Sequence, residues 1–451
     1  MGFCRKELAY VFVLVCGSTF VGQSLGYWSP AGPPMMAEFG WSTTIGSLFS
    51  SLSSIVAIIG GPLTNLIVPK LGRKLPCFIY AVIATITWIV ICVTKKSFFW
   101  LAFLMRAIQG ICVGGLSSLC SMYIVEISPM ENKQAYGTFH QFGVTIGIAY
   151  CYFLGIFCEW RLLTGLCCIF SGLLAILIWF IPESPVVTNL KLAQASGQSA
   201  IAEKDRLFQR KYFKPLIASF FFMFFQQFSG INATGTNMQS IFINAKIDLD
   251  PSLCAFLVGI SQCISTGFTS IVVKKFGKKI AMNISALGQA VSLLLVWVQD
   301  VFHVNSILSL VALFLDFFFF GVGFGPVPWF IVPELFPDSV RQLATSIFTG
   351  LNWAFVTIII FMWPPMESGI GLGWGLFVYA VVCVIGFVWG LLWMPDASQE
   401  EQPDTTPAIH HLNDNGKLSE DTSNEQTPIQ KDDVNIDHIE ITADDPEPVE
   451  L

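Results

Sequence analysis

The sequence predicts an all-α membrane protein with twelve transmembrane helices in two six-helix halves, followed by a disordered acidic C-terminal tail. The first observation behind this prediction is composition, since 54% of the residues are hydrophobic and only 12% are charged. A soluble globular protein has about 25% charged residues, so most of this chain has no water-facing surface to cover. The composition therefore excludes a soluble enzyme, a disordered protein and a nucleic-acid-binding protein.

The second observation is the number of apolar segments, because a helix needs about 20 apolar residues to cross a bilayer. Twelve candidate spans occur, at 8–28, 43–68, 75–94, 98–127, 135–157, 162–181, 212–243, 252–273, 280–299, 306–332, 342–363 and 372–394. Most basic clusters fall on one side of the membrane if both termini are cytoplasmic, as the positive-inside rule requires, with Lys95, Lys96 and Arg161 as exceptions. The charge pattern therefore predicts a multi-pass protein with both termini in the cytoplasm, and we expect this protein in the plasma membrane, although the sequence contains no address that distinguishes it from an internal membrane.

The third observation is a repeat of three charged motifs, in the same order and 205–213 residues apart. The pairs are Leu71-Gly72-Arg73-Lys74 with Phe276-Gly277-Lys278-Lys279, Glu126 with Glu334, and Pro182-Glu183 with Pro395-Asp396. Each motif follows an even-numbered span, so the two halves repeat in the same direction. This predicts an N-terminal six-helix half at 1–185, a cytoplasmic loop at 186–211 and a C-terminal six-helix half at 212–395. Parallel repeats are typical of secondary transporters that rock around a midplane site.

The C-terminal tail has a different composition from the membrane region. Residues 396–451 carry 16 acidic and two basic residues, whereas the rest of the chain carries 22 basic and 15 acidic residues. The tail has no apolar run and almost no aromatic residues, so we expect it to be disordered. Such a tail is typical of a solvating segment or of one that binds a cytosolic adaptor.

Short motifs are distributed along the whole membrane region. They are LGRK (71–74), RAIQG (106–110), MYIVEISP (122–129), YGTFHQFGVTIG (136–147), IPESP (181–185), FQQFSGIN (225–232), FGKK (276–279), GFGPVPWFIVPELF (323–336) and NW (352–353). Over residues 8–396 they resemble the sugar porter family of the major facilitator superfamily, and the chain looks most similar to facilitative hexose and trehalose transporters such as those of insects. The resemblance implies the major facilitator fold and a sugar substrate, with neither enzymatic activity nor a cofactor.

Five amide side chains lie inside otherwise apolar spans: Gln141, Gln226, Gln227, Asn232 and Gln262. An amide donates and accepts hydrogen bonds without carrying charge, which suits the hydroxyl groups of a sugar. Each amide would cost free energy in lipid unless it faced a cavity or a partner. Hydrogen bonds between helices that hold the bundle are the alternative explanation.

Two spans carry residues that break a helix. In span 7, Gln227 and Asn232 lie about 140° apart on an ideal helix, so they converge only if the span bends near Gly230. Glycines and prolines at 321–328 should break span 10 in the same way and present Trp329. By the resemblance, Trp329 stacks on the sugar and lines the inner gate. The predicted substrate-binding residues are therefore Gln141, Gln226, Gln227, Asn232, Gln262, Trp329 and Asn352.

We interpret the charged motifs at the cytoplasmic ends of the spans as a latch. Its members are Arg73, Glu126, Lys133 and Glu183 in the first half and Lys278, Glu334, Arg341 and Asp396 in the second. Ion pairs among them would hold the outward-open state and separate when the inner side opens. By the resemblance, Arg106 at the start of span 4 supports the outer side.

The sequence departs from the family pattern at several positions. An acid of the pattern is replaced by Gly321, an Asn by Val356, a Tyr pair by Thr236-Asn237, another Asn by Gln262, an Arg by Val186 and a latch acid by Lys274. These differences leave the class unchanged, but they affect the exact sugar and the closure of the gates.

Proton coupling requires an ionisable side chain at membrane depth. Family symporters place an Asp in span 1 directly after a Gly-Tyr pair, where this chain has Trp28. Asp316, about ten residues into span 10, is the candidate proton site, and a polar group bonded to a neighbouring span is the alternative. His140 points about 100° away from Gln141 on a helix, so we expect it to face packing.

The sequence as a whole predicts facilitative (uniport) transport of a hexose or trehalose by alternating access. The alternatives are a proton-coupled sugar symporter, a transporter of another small polar solute, and a sugar sensor that does not transport. The expected partners are the sugar and the lipid bilayer, with no nucleic acid. We expect no metal site, because the cysteines lie mostly in apolar runs and form no CxxC pair.

Overall fold

The computed structural model describes residues 5–129, 133–189 and 206–394, and the regular structure in these ranges is helical, with no strand. The labelled helices are α1 (Arg5–Gly26), α2 (Trp28–Phe39), α3 (Thr43–Leu71), α4 (Lys74–Val93), α5 (Phe99–Ile127), α6 (Lys133–Phe157), α7 (Trp160–Leu166), α8 (Cys168–Leu177), α9 (Phe213–Phe228), α10 (Ile231–Thr236), α11 (Met238–Asn244), α12 (Pro251–Phe302), α13 (Ser306–Val322), α14 (Val327–Glu334), α15 (Asp338–Ile370) and α16 (Leu372–Leu392). Single turns of 3-10 helix lie at Lys96–Phe98, Ile178–Phe180 and Arg210–Tyr212.

The helices form twelve membrane crossings, as predicted. By length and hydropathy, eleven helical stretches of the described chain are able to cross a bilayer. One of them, α12, has 52 residues and contains a residue with non-helical dihedral angles, Gly277 (φ 84°, ψ 163°). At 1.5 Å per residue, α12 is about 78 Å long, which is more than twice the hydrocarbon thickness of a membrane. It therefore supplies spans 8 and 9, with the break inside the FGKK motif.

Spans 7 and 10 are interrupted at the positions predicted from their glycines and prolines. Span 7 consists of α9, α10 and α11, and Gly230 between the first two has a φ of 87°. A Cβ atom at Gly230 would also lie 2.3 Å from the ring of Tyr379, so both backbone and space require glycine there. Span 10 ends its first part at Val322 and resumes as α14 at Val327. Both breaks lie in the second half of the chain.

Helix α2 has no counterpart among the predicted spans. It contains Pro33 and Pro34 within its length and ends at Gly40, which has a left-handed conformation (φ 70°). Prolines inside a helix remove backbone hydrogen bonds, which is why this segment reads as a loop in the sequence. The ring of Trp28 packs on the helix itself, where a Cβ at Gly32 would lie 2.7 Å from it, and this packing offsets the hydrogen bonds that the prolines remove.

The two halves meet mainly along two pairs of helices, α3 with α15 and α6 with α12. Glycines allow this approach: a Cβ at Gly61 would lie 3.0 Å from the carbonyl oxygen of Ser346, and one at Gly259 would lie 3.3 Å from Cα of Ala149. Large apolar side chains such as Phe12 and Leu66 are exposed on the outside of the bundle, where lipid would contact them. The limits of the halves and of the central loop stay predictions, and the tail at 396–451 lies outside the described residues.

Candidate functional site

A central cavity lies between the two halves. Its empty volume, together with the solvent space continuous with it, is about 630 Å³. All seven predicted substrate-binding residues line it: Gln141, Gln226, Gln227, Asn232, Gln262, Trp329 and Asn352. Apolar residues of both halves, including Val21, Ile148 and Phe317, complete the wall.

Four of the amides form one hydrogen-bonded network on the side of the second half. Nε2 of Gln226 donates to the carbonyl oxygen of Gly325 (2.7 Å), at the break between α13 and α14. Nδ2 of Asn352 donates to Oε1 of Gln226 (2.6 Å), and Nε2 of Gln227 donates to Oδ1 of Asn352 (3.1 Å). Nδ2 of Asn232 donates to Oε1 of Gln227, which the bend at span 7 makes possible. The network thus joins both broken spans to α15.

The other two amides enter the cavity from the helix pair α6 and α12. Gln141 and Gln262 are both buried, with 6% and 2% of the residue exposed. The Oε1 atom of Gln262 has no hydrogen-bond partner within the described part of the chain. A buried amide oxygen without a partner costs free energy, so this acceptor is suited to a ligand hydroxyl or a water molecule.

His140 also lines the cavity, and the expectation that it faces packing instead is wrong. Its Nδ1 lies 2.8 Å from Oγ of Ser18 on α1, and its ring contacts the ring of Trp329 edge-on, with centroids 5.0 Å apart. The helix fixes only the direction of the Cα–Cβ bond of His140. The ring extends far enough beyond Cβ to reach the cavity, even though neighbouring residues on a helix point about 100° apart. His140 and Trp329 therefore connect α6 of the first half with α14 of the second.

Arg106 lies on α5 and is almost fully buried, with 1% exposure. Its guanidinium donates to the backbone oxygen of Ser24 (2.7 Å) and to Oε1 of Gln109 (2.5 Å), and it lies over the rings of Tyr27 and Phe49. These contacts tie α5 to α1 at the end of the bundle where α1 continues into α2. The geometry is consistent with the supporting position that the resemblance implies.

The charged motif of the first half forms a compact cluster. Arg73 donates to both carboxylate oxygens of Glu126, at 2.6 Å and 3.1 Å, and its side chain is only 3% exposed. Glu183 accepts hydrogen bonds from the backbone N–H groups of Arg73 (3.0 Å) and Ser184 (2.9 Å). Ser184 in turn donates from Oγ to Glu126 (2.6 Å). The cluster joins the ends of α3, α5 and the segment after α8.

The second half repeats part of this arrangement. Lys278 forms an ion pair with Glu334, while Nε of Arg341 donates to the carbonyl oxygens of Pro333 (2.9 Å) and Phe336 (3.1 Å). The two ion pairs found among the described residues of these motifs, Arg73 with Glu126 and Lys278 with Glu334, each lie within one half. The side chain of Lys133, at the start of α6, and the whole of Asp396 lie outside the described residues.

Asp316 is fully buried on α13, and neither carboxylate oxygen has a hydrogen-bond partner among the residues that the structure describes. Its neighbour Phe317 lines the cavity, but Asp316 itself does not. The predicted alternative of a hydrogen bond to a neighbouring span is therefore not found, and Asp316 stays a candidate proton site.

Tyr152 belongs to none of the motifs above, but it also lines the cavity and donates from Oη to the carbonyl oxygen of Gly235 (2.6 Å). On α6 it lies one helical turn after Ile148, two turns after Val144 and three turns after Gln141 and His140. This spacing of three to four residues was visible in the sequence and marks one face of the helix. Its partner is a backbone atom, which no sequence pattern reports.

Comparison with known proteins agrees with this architecture. The sequence pattern of the family described as "Sugar (and other) transporter" matches residues 12–200 and 186–401. The chain is 30% identical over 434 residues to "Sugar transporter ERD6-like 6" of Arabidopsis thaliana, covering 86% of this chain and 87% of that protein. It is 27% identical over 431 residues to "Facilitated trehalose transporter Tret1" of Culex quinquefasciatus, covering 86% and 83%.

Solved structures share the fold. A partially occluded inward-open conformation of the xylose transporter XylE from E. coli superposes with a TM-score of 0.74 at 20% identity, covering 88% of this chain and 100% of that one. A crystal structure described as a D-xylose-proton symporter gives a TM-score of 0.72 at 22% identity, covering 87% and 99%. With both sequence halves matched and the fold in common, the chain belongs to the sugar porter family of the major facilitator superfamily.

Proposed function

We propose that this protein is a facilitative uniporter that carries a sugar, a hexose or trehalose, across the plasma membrane by alternating access. The observation that supports this most strongly is the cavity between the halves, where six amides from α6, α9, α10, α12 and α15 converge with Trp329. Asp316 does not line this cavity. Neutral groups that both donate and accept match hydroxyls, and an aromatic ring matches the C–H face of a sugar.

The described lining of the cavity contains no carboxylate, ammonium or guanidinium group. A charged substrate would be left without a counter-ion in such a site, which is unfavourable in a low-dielectric environment. The lining therefore supports a neutral polar solute. The relatives named as facilitated trehalose transporters support a sugar without coupling.

The second candidate is a proton-coupled sugar symporter. It is favoured by one observation, the fully buried carboxyl group of Asp316 without a described partner. A group of this kind inside a membrane protein is a functional candidate by default. Its position behind the cavity wall, rather than in it, is the reason that uniport is preferred.

The charged clusters support a latch whose pairs hold each half as a unit. Arg73, Glu126 and Glu183 join three segments of the first half, and Lys278 with Glu334 joins two segments of the second. In the proposed cycle the halves move as rigid bodies about the α3–α15 and α6–α12 contacts. These clusters would lie on the cytoplasmic side, together with both termini.

The test is uptake of labelled glucose and trehalose by vesicles that contain the purified full-length protein. We expect saturable uptake that stops at equal concentrations inside and outside, and that unlabelled substrate inhibits. A panel of competing sugars then identifies the preferred ring size and linkage. Binding of a sugar without flux would instead support a sensor, and neither binding nor flux for any sugar of the panel would refute the proposal.

A further inference from the structure

Tyr152 and the pair His140–Trp329 mark the two ends of the cavity. All the lining residues of α6 lie between His140 and Tyr152, which are twelve positions or about 18 Å apart along the helix. At one end, the edge-on contact between His140 and Trp329 connects α6 with α14. At the other end, the hydroxyl of Tyr152 connects α6 with α10 through the carbonyl oxygen of Gly235.

The neighbours of Tyr152 are small where its ring needs room. A Cβ at Gly259 of α12 would lie 3.1 Å from Cδ2 of Tyr152, and one at Gly235 would lie 3.5 Å from its hydroxyl oxygen. The ring is 1% exposed, so it fills the space between the halves at this point. Larger residues at these two positions would displace the ring from the cavity wall.

The hydrogen bond of Tyr152 is also of a kind that is easily broken and remade. Its acceptor belongs to α10, a helix of six residues that follows the left-handed Gly230. A short helix next to such a break has few hydrogen bonds to hold it in place, so it can move without unfolding the rest of span 7. A second contact between the halves lies at the same end of the cavity, where the N–H of Gln239 is 3.4 Å from Oγ of Ser29 on α2.

We propose that Tyr152 is the gate residue at the end of the cavity opposite Trp329, and that its ring thereby limits the length of the sugar that can be enclosed. The hydroxyl bonds to Gly235 when this end is closed and releases it when α10 moves away. The limit on sugar length rests on the proposed function, whereas the gate itself does not.

The gate is tested without any sugar, by hydrogen–deuterium exchange of the purified full-length protein. Tyr152→Phe removes the hydroxyl but keeps the ring, and loss of one such bond should raise exchange at 231–237 about fivefold. Tyr150→Phe is the matched control, because the hydroxyl of Tyr150 donates to the carbonyl oxygen of Leu166 within the first half. Equal exchange at 231–237 in wild type and both variants would refute the gate.

The limit on sugar length is tested in vesicles with labelled trehalose and glucose. Tyr152→Ala should raise the ratio of trehalose to glucose uptake severalfold, whereas Tyr152→Phe and Tyr150→Phe should leave that ratio near the wild-type value. An unchanged ratio in Tyr152→Ala, with normal yield and normal glucose uptake, would refute the length limit. If the wild-type protein carries neither sugar, the proposed function fails, while the exchange result still decides whether Tyr152 is a gate.

Discussion

Substitutions in the amide network should distinguish residues that bind the sugar from residues that hold the broken spans together. Asn232 is half-buried and makes one described side-chain bond, to Gln227, so its amide is free to contact a ligand in the cavity. Gln226 is 1% exposed and bonds to both Gly325 and Asn352. The two amides belong to one network but should respond differently to substitution.

The expected magnitudes follow from these contacts. Asn232→Ala and Gln227→Ala each remove one hydrogen bond to the sugar, worth about 1 kcal/mol, so each should raise the half-saturation concentration about fivefold. Gln226→Ala removes the side-chain donor to the buried carbonyl oxygen of Gly325 and the oxygen that accepts from Nδ2 of Asn352, at about 1–3 kcal/mol for each group. It should therefore lower the unfolding temperature as well, which Asn232→Ala should not.

The assay is the initial rate of labelled sugar uptake as a function of concentration, with thermal unfolding of the same preparations. Gln289→Ala is the control, since Gln289 is a buried amide of the same half that bonds within its own helix to Ser285 (3.2 Å) and does not line the cavity. Wild-type half-saturation in both Asn232→Ala and Gln227→Ala would show that the sugar binds elsewhere.

Three further predictions concern charged residues. Glu334→Ala removes the ion-pair partner of Lys278 and loosens α14 against α12 at the end that we propose to be cytoplasmic, so this end should open more readily. Labelling from outside of a thiol introduced near Gln262 should then fall, and unchanged or greater labelling contradicts the latch. An inward pH gradient should not drive uphill sugar accumulation, and accumulation that Asp316→Asn abolishes would establish a symporter. The hydrogen bond from Arg161 lowers the pKa of Glu38, so this pair stabilises the fold at neutral pH and loses its effect as the pH falls through that lowered value. Glu38→Gln should thus unfold at a slightly lower temperature at pH 7 and at the wild-type temperature in acid, and a difference that persists in acid contradicts this.

Much of the fold could be predicted because lipid imposes simple requirements on sequence. A segment that crosses a bilayer must be apolar and helical, so hydropathy alone located the spans, and the glycine and proline clusters located the breaks at Gly230 and before Val327. Helix α2 was not predicted because its prolines argue against a helix, and the contacts that favour one, such as the packing of Trp28 on Gly32, are seen only in the structure.

The site was predictable in composition but not in detail. Amides inside apolar spans are costly enough that a common cavity could be expected, and all of those singled out line it. The direction of His140 and the bond of Tyr152 depend on side-chain reach and on a backbone acceptor that is more than 80 positions away. Contacts of this kind are set by tertiary packing and leave no local pattern.

The neutral lining of the cavity determines how such a protein responds to an electric field. Moving one elementary charge across a membrane changes its free energy by about 2.3 kcal/mol for each 100 mV of potential. His140 and Tyr152 are the only titratable side chains in the described lining, and a sugar carries no charge. For the proposed uniporter, the resting voltage of a cell then neither drives the cargo nor opposes it. The direction of net flow is set by the concentration difference alone, so consumption of the sugar on one side is what keeps it moving.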